Sequence, residues 1–197
     1  MFEDFYFTTP HKTTGAKIHR YQVTNGQISE LERFGHFDFN GCQTIQLGRF
    51  LFSVSDSNLQ ILRFDLLRRA LKVQPVPDSL SKDDMLFSKI SLYSLAGYRN
   101  EAFFVVGGMQ DQKGNRSQGR SRFAQNPVSK DVYAFTVKEN RLEKIARLRD
   151  GRHSHSNCTL KNQLYVFGGL GPNAEYVNSI ESAEVSDLFE YRQGCEW

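Results

Sequence analysis

The chain has few cysteines, little net charge and no long hydrophobic run, and each shortage excludes a class of protein. Its three cysteines, Cys42, Cys158 and Cys195, lie far apart without a CxxC spacing, so neither a disulfide framework nor a zinc site is indicated. A net charge of +3 is too small to indicate a nucleic-acid or membrane partner for the whole chain. No stretch approaches the roughly 20 consecutive apolar residues that span a bilayer.

The chain also lacks a secretory signal at its start, MFEDFYFTTP. Glu3 and Asp4 stand where a signal would carry basic residues, and they interrupt the apolar residues around them. Together with the scattered cysteines, this predicts a cytoplasmic protein in a reducing compartment, with no membrane segment.

Aromatic residues are abundant, with 16 Phe and 8 Tyr among 197 residues. Aromatic side chains favour pleated, half-buried surfaces, so the composition favours β structure. The length is sufficient for one domain, or two small ones, with a sizeable core.

Four segments repeat the pattern of an antiparallel hairpin: KIHRYQVTNGQISEL, LQILRFDLLRRALKV, DVYAFTVKENRLEKI and DLFEYRQGCEW. Apolar and polar residues alternate on both sides of a short polar turn, as in a hairpin with one buried face. In each segment an aromatic residue precedes an apolar one by six or seven positions: Tyr21 and Ile28, Phe64 and Leu71, Phe135 and Leu142, Tyr191 and Trp197.

A second motif lies between these hairpins, an apolar stretch that ends in two glycines. It occurs as AFFVVGGM with Gly107 and Gly108, and 61 residues later as QLYVFGGL with Gly168 and Gly169. GRFLFSVS is a weaker copy without glycines, and a more polar, strand-like stretch precedes each copy. The predicted unit is therefore a four-stranded meander: strand A, strand B with its diglycine, a variable loop, strand C, a turn and strand D.

These units resemble kelch repeats, which form the four-stranded blades of a β-propeller. The clearest copy spans 152–197, and its matching positions include Arg152, His155, Tyr165, Gly168, Gly169 and Trp197. In the middle copy Phe87 stands where the arginine would be, and about four extra residues lie near Tyr98. The resemblance implies an amino-terminal segment at 1–15, a half-blade at 16–33 and blades at about 37–80, 85–148 and 152–197.

The resemblance also implies an all-β fold that is an incomplete or truncated propeller. A closed kelch propeller has about five to seven blades and needs roughly 250 to 350 residues. An open arc would expose apolar blade faces and unpaired strand edges, so self-association through these edges is an expectation.

The diglycines at Gly107, Gly108, Gly168 and Gly169 are predicted to be structural. Blades crowd together near the propeller axis, and a residue without Cβ permits a close approach of the backbone. A phosphate-binding loop would instead require GxxxxGK[ST] leading into a helix, which the sequence lacks.

The loops carry the functional prediction, because a propeller hosts many roles. Strand parity places the B–C loops and the D–A connections on one face. The longest B–C loop, from Met109 to Lys130, is basic and suits carboxylate or phosphate groups. The predicted partner-binding residues are Lys113, Arg116, Arg120, Arg122 and Arg152. A partnerless solvated insertion is one alternative, and nucleic acid is disfavoured because Phe123 is the only aromatic residue in this loop.

We therefore predict a non-enzymatic module that binds a protein partner through the B–C and D–A loops on one propeller face, with an acidic partner as one of the alternatives. His153 and His155 would face one side of a regular strand but lack a third ligand, so no metal or cofactor is expected. His155 is instead expected to form a hydrogen bond inside its blade, as the resemblance implies. No catalytic residues are predicted, since Ser154 and Ser156 lack a GxSxG elbow. The alternatives are a fragment of a propeller oxidase or isomerase, and a truncated product without independent function.

Overall fold

The computed structural model describes residues 4–11, 15–34, 43–54, 60–75, 90–110 and 127–190. These residues form sixteen strands and one helix, α1 (Val185–Glu190). All strand pairings between the sixteen strands are antiparallel, which confirms the all-β prediction. No helix in the described part of the chain is long and apolar enough to cross a bilayer.

The strands form four principal sheets, numbered I to IV along the chain. Sheet I contains β1 (Phe5–His11), β2 (Gly15–Gln22) and β3 (Gln27–Phe34). Sheet II contains β4 (Gln43–Leu47), β5 (Phe50–Val54), β6 (Gln60–Asp65) and β7 (Ala70–Pro75). Sheet III contains β9 (Ser94–Tyr98), β10 (Ala102–Val106), β12 (Asp131–Thr136) and β13 (Arg141–Arg147). The short strands β8 (Ile90–Ser91) and β11 (Met109–Gln110) form a separate pair. Sheet IV contains β14 (Ser156–Leu160), β15 (Gln163–Phe167) and β16 (Ile180–Glu184).

Each principal sheet is a meander in which strands that follow one another in sequence pair side by side. The first strands of sheets II, III and IV lie next to one another, with β9 between β4 and β14. Sheets II, III and IV therefore stack face to face around their first strands, as the blades of a propeller do, and sheets I to IV are called blades I to IV below.

Three apolar cores fill the spaces between successive sheets. Ile18 of sheet I packs against Leu51 and Phe64 of sheet II. Phe52 of sheet II packs in the same cluster as Phe103 of sheet III, and the two ring centroids are 5.5 Å apart. The third core contains apolar residues of sheets III and IV. Because the middle sheets are covered on both faces, their strands are apolar on both sides.

The first sheet corrects the predicted boundary at residue 15. Strand β1 lies within the segment 1–15, which was separated from the half-blade, and it pairs with β2 from Phe5↔Tyr21 to His11↔Gly15. The amino-terminal unit is therefore a three-stranded sheet rather than a hairpin alone. Its β1 corresponds to strand B of the later units, because Phe5↔Tyr21 pairs in the same way as Phe103↔Phe135.

The middle unit also differs from its predicted alignment. Its first long strand, β9, begins at Ser94, and the preceding Leu92 has a positive φ of 56°, as Ser154 does with 52° before β14. The pair Ser91↔Met109 corresponds to the bridge between His153 and Leu170. Ile90, and not Phe87, therefore occupies the place of Arg152.

The last unit contains a helix where a strand was predicted. The segment DLFEYR was assigned to strand C, but strand C is β16, and α1 begins directly after it. Tyr191, the aromatic residue of the predicted hairpin, lies outside the described residues. Val185 and Leu188 are three residues apart and both are buried in the core between sheets III and IV. The negative charge of Asp187 in the first turn is favourable, because the amino-terminal end of a helix dipole is positive. Burial at helical spacing therefore outweighs the alternating pattern of the hairpin.

Candidate functional site

Both diglycines follow strand B of their sheets, and Gly107 and Gly169 lie against the chain segment that precedes β14. All four glycines have positive φ, with 56° at Gly107, 107° at Gly108, 60° at Gly168 and 98° at Gly169. A Cβ on Gly107 would lie 2.5 Å from the carbonyl oxygen of Arg152, and one on Gly169 would lie 2.7 Å from that of His153. At these two positions the positive φ favours glycine, and the close approach of a second chain segment excludes a Cβ.

Gly168 provides a matched comparison, because the nearest atom to a Cβ there is the Val177 carbonyl oxygen at 3.7 Å. Replacing Gly168 or Gly169 by valine is expected to destabilise the fold by about 1–3 kcal/mol. The loss should be larger for Gly169, where overpacking adds to backbone strain. Thermal unfolding measures both, and an equal or unchanged melting temperature in the two variants would contradict the role of close approach.

Arg152 was predicted to lie on the surface as a partner-binding residue, and this is wrong. The residue is fully buried, with 0% of its surface exposed. Its guanidinium donates hydrogen bonds to the carbonyl oxygens of Gly168 (3.2 Å) and Ser179 (3.0 Å) and to Ser179 Oγ (2.9 Å). It also forms an ion pair with Glu181 of β16. The planar fork of five donors is used inside the fold, because backbone carbonyls and a buried carboxylate surround it.

Glu181 completes this cluster and was not identified from the sequence. Its carboxylate accepts hydrogen bonds from the backbone nitrogens of Arg149 (2.7 Å) and Asp150 (3.2 Å). The ion pair therefore fastens the connection between β13 and β14 to the last strand of sheet IV. Residues 152 and 181 lie on different strands and loops, so no local spacing in the sequence relates them.

His155 forms a hydrogen bond, but its partner belongs to the neighbouring sheet and not, as predicted, to its own blade. Its Nε2 lies 2.6 Å from Ser94 Oγ of β9, and the ring is buried. Burial, assisted by the nearby charges of Arg152 and His153, lowers the pKa of His155 to about 4. Burial also lowers the pKa of His153. Both imidazoles are therefore neutral at physiological pH.

His153 and His155 do not lie on a regular strand, which was the premise for placing both rings on one face. Ser154 between them has a φ of 52°, and β14 begins only at Ser156, so strand alternation does not apply. Within the described ranges no group of three or more His, Cys, Asp or Glu residues could hold a metal ion.

A surface groove of about 430 Å³ lies above the Arg152 cluster. Three chain segments form it: the end of the loop before β12, the connection before β14, and the loop after the second diglycine. The residues that line it are Lys130, Asp150, Gly151, Pro172, Glu175, Tyr176, Val177, Asn178 and Ser179. Two B–C loops and one D–A connection thus meet on one face, in agreement with the strand-parity prediction.

Among solved structures, the chain is similar to YjhT, a protein with a β-propeller-like fold, at a TM-score of 0.62 and 15% sequence identity. The fold is propeller-like. The likeness covers 83% of this chain and 48% of YjhT, so the chain spans about half the length of that propeller. No protein-family model matches the chain, and no curated protein matches it.

The groove between blades III and IV carries both signs of charge and one prominent aromatic side chain. Tyr176 is 83% exposed. Lys130 donates a hydrogen bond to the carbonyl oxygen of Arg149 (2.7 Å), and Asp150 and Glu175 supply carboxylates nearby. A tyrosine combines a large apolar ring with a polar hydroxyl, so the groove presents both an apolar surface and charged groups.

The remaining predicted residues have mixed outcomes. Lys113, Arg116, Arg120, Arg122 and Trp197 lie outside the described residues. Tyr165 lies in β15, is half-buried, and stacks on Phe167 with ring centroids 6.1 Å apart.

Proposed function

We propose that the protein is a kelch-type, non-enzymatic interaction module that binds a segment of a protein partner in the groove between blades III and IV. The observation that supports this most directly is the meeting of three loop segments around an almost fully exposed Tyr176. Tyrosine is among the residues that most often dominate binding energy at protein interfaces. The diglycines and the alternating hairpins support the kelch assignment.

Hydrogen bonds hold the segments that line the groove in place, so binding a partner there would cost little conformational entropy. The loop after the second diglycine is held by backbone hydrogen bonds from Val177 to Gly169 (3.0 Å) and from Gly171 to Glu175 (2.9 Å). Beneath it, the buried Arg152 is bonded to Ser179, which also lines the groove. The binding loop and the buried ion pair therefore form one connected unit.

The charge of the chain near the groove favours a partner segment with acidic residues. Lys130 lines the groove, and Lys113, Arg116, Arg120 and Arg122 precede it in the sequence. Asp150 and Glu175 would select against a purely acidic segment. We therefore expect an extended peptide that places an apolar or aromatic residue on Tyr176 and an acidic residue towards Lys130.

Selection of peptides from a displayed library against the immobilised chain tests this proposal. Peptides that bind should lose at least about tenfold in affinity with Tyr176→Ala, since a hot-spot side chain contributes more than about 1.4 kcal/mol. Leu67→Ala is the matched control, because Leu67 is 76% exposed but lies in the turn between β6 and β7, away from the groove.

A triple variant, Arg116→Glu, Arg120→Glu and Arg122→Glu, tests the preference for acidic partners separately. It should weaken acidic peptides and reduce the dependence of their affinity on salt, because exposed charges are screened. Peptides that bind the parent and the Tyr176→Ala variant equally well would contradict the groove as the binding site.

A further inference from the structure

The three interfaces between neighbouring blades use the same strand positions. Each blade has an N-side face, which packs on the preceding blade, and a C-side face, which packs on the following one. In blade III the N-side face contains Phe103, Phe135 and Leu142, which are paired across β10, β12 and β13. Its C-side face contains Phe104, Val106 and Val132.

Blade I has an N-side face that no described residue covers. Phe5, Tyr21 and Ile28 are paired across its three strands in the same register as Phe103, Phe135 and Leu142 of blade III. The blade III residues are at most 1% exposed, whereas Phe5 and Ile28 are 64% and 63% exposed. Blade I therefore presents interface-type residues to solvent.

The C-side face of blade IV is also covered by no described residue. Phe167↔Ile180 is the equivalent of Val106↔Val132 in blade III, since both pairs join strand B to strand C just before the diglycine. Val106 and Val132 are 0% exposed, whereas Phe167 and Ile180 are 36% and 65% exposed. Isolated apolar residues are common on surfaces. Here, however, both exposed faces use the positions that are buried between blades elsewhere in the chain, which indicates an absent neighbour.

We propose that a second copy of this chain covers both faces. The N-side face of blade I in one copy packs on the C-side face of blade IV in the other, as the same two kinds of face pack three times within each copy. Such a contact is head-to-tail, and two head-to-tail contacts related by a two-fold axis close a ring. Four blades from each copy give eight, which is one more than in the largest kelch propellers and lies at the upper end of the range of about four to eight blades for propellers in general.

The likeness to YjhT agrees with this arrangement. It covers 83% of this chain and 48% of YjhT, so the matched part of one copy accounts for about half of a propeller and leaves room for a second copy. The proposal is independent of the peptide groove, because the groove lies between blades III and IV of one copy.

The oligomeric state of the 197-residue chain in solution tests the proposal. Sedimentation equilibrium should give twice the chain mass. Ile180→Glu and Ile28→Arg should each give a monomer with an unchanged circular dichroism spectrum, since both side chains are exposed within the chain. Leu67→Glu is the control and should remain dimeric, because Leu67 belongs to neither face.

A mixture of the two monomeric variants gives the decisive result. A mixed pair has one interface between two unchanged faces and one that joins the Ile28→Arg face of one copy to the Ile180→Glu face of the other. Because the second interface pairs opposite charges, dimers should reappear on mixing. A monomeric parent chain would overturn the proposal, as would open-ended polymers in place of a closed dimer. Dissociation by Ile180→Glu but not by Ile28→Arg would also overturn it, because that result indicates two C-side faces in contact.

Discussion

Arg152→Met is expected to lower the free energy of unfolding by about 3–5 kcal/mol, because it leaves the carboxylate of Glu181 buried without its cation. The substitution also removes the donors to Gly168 and Ser179 while keeping a long apolar side chain in the space. Urea unfolding followed by circular dichroism measures the loss. Arg149→Met is the matched control, since Arg149 is exposed and contributes its backbone nitrogen to Glu181.

The double variant Arg152→Met with Glu181→Leu separates the ion pair from the rest of the cluster. Removing both charges should cost less than the sum of the two single losses, because neither buried charge is then left unpaired. A loss below about 1 kcal/mol for Arg152→Met would show that the buried arginine does not hold the two segments together.

Stability is expected to fall as the pH is lowered from about 6.5 to about 4, because the unfolded chain binds a proton at His155 that the folded protein excludes. The lowered pKa means that this contribution is fully present above the unfolded value and is lost as the pH falls towards the folded one. The difference between the two pKa values corresponds to about 3 kcal/mol. Chemical unfolding at a series of pH values measures it.

His155→Gln is the control for this prediction. The amide can bond Ser94 but does not titrate, so the difference between parent and variant removes the contributions of His153 and of the carboxylates. Parallel curves for the two proteins between pH 7 and 4 would contradict a proton-excluding site at His155. Arg152→Met should reduce the pH dependence, since the charge of Arg152 helps to lower the pKa of His155.

Both predictions concern the layer that lies beneath the proposed binding groove. The buried ion pair holds the connection before β14 in place. The hydrogen bond between His155 and Ser94 holds the start of β14 against blade III. We therefore expect peptide affinity to fall in Arg152→Met even though the residue contacts no partner. Tyr176→Ala should instead weaken binding without changing stability, which distinguishes contact from support.

The sequence by itself determined the repeated architecture. The aromatic-centred hairpins at Phe64 and Phe135 and the strand preceding Gly168 were identified because a period of two and a diglycine are local signals. Strand parity then placed the loops around Lys130, Asp150 and Tyr176 on one face before any distance was known. Local periodicity carries this information because each blade is a meander of neighbouring strands.

Only the tertiary structure decided that Arg152 is buried and that the segment after β16 is a helix. Arg152 reads as a surface cation in a polar loop, yet it is buried because Glu181, 29 residues away, meets it across blade IV. The segment after β16 reads as a strand, but Val185 and Leu188 gain burial against blade III as a helix. Burial by distant residues determined both outcomes, and neither the sequence alternation nor the formal charge contains that information.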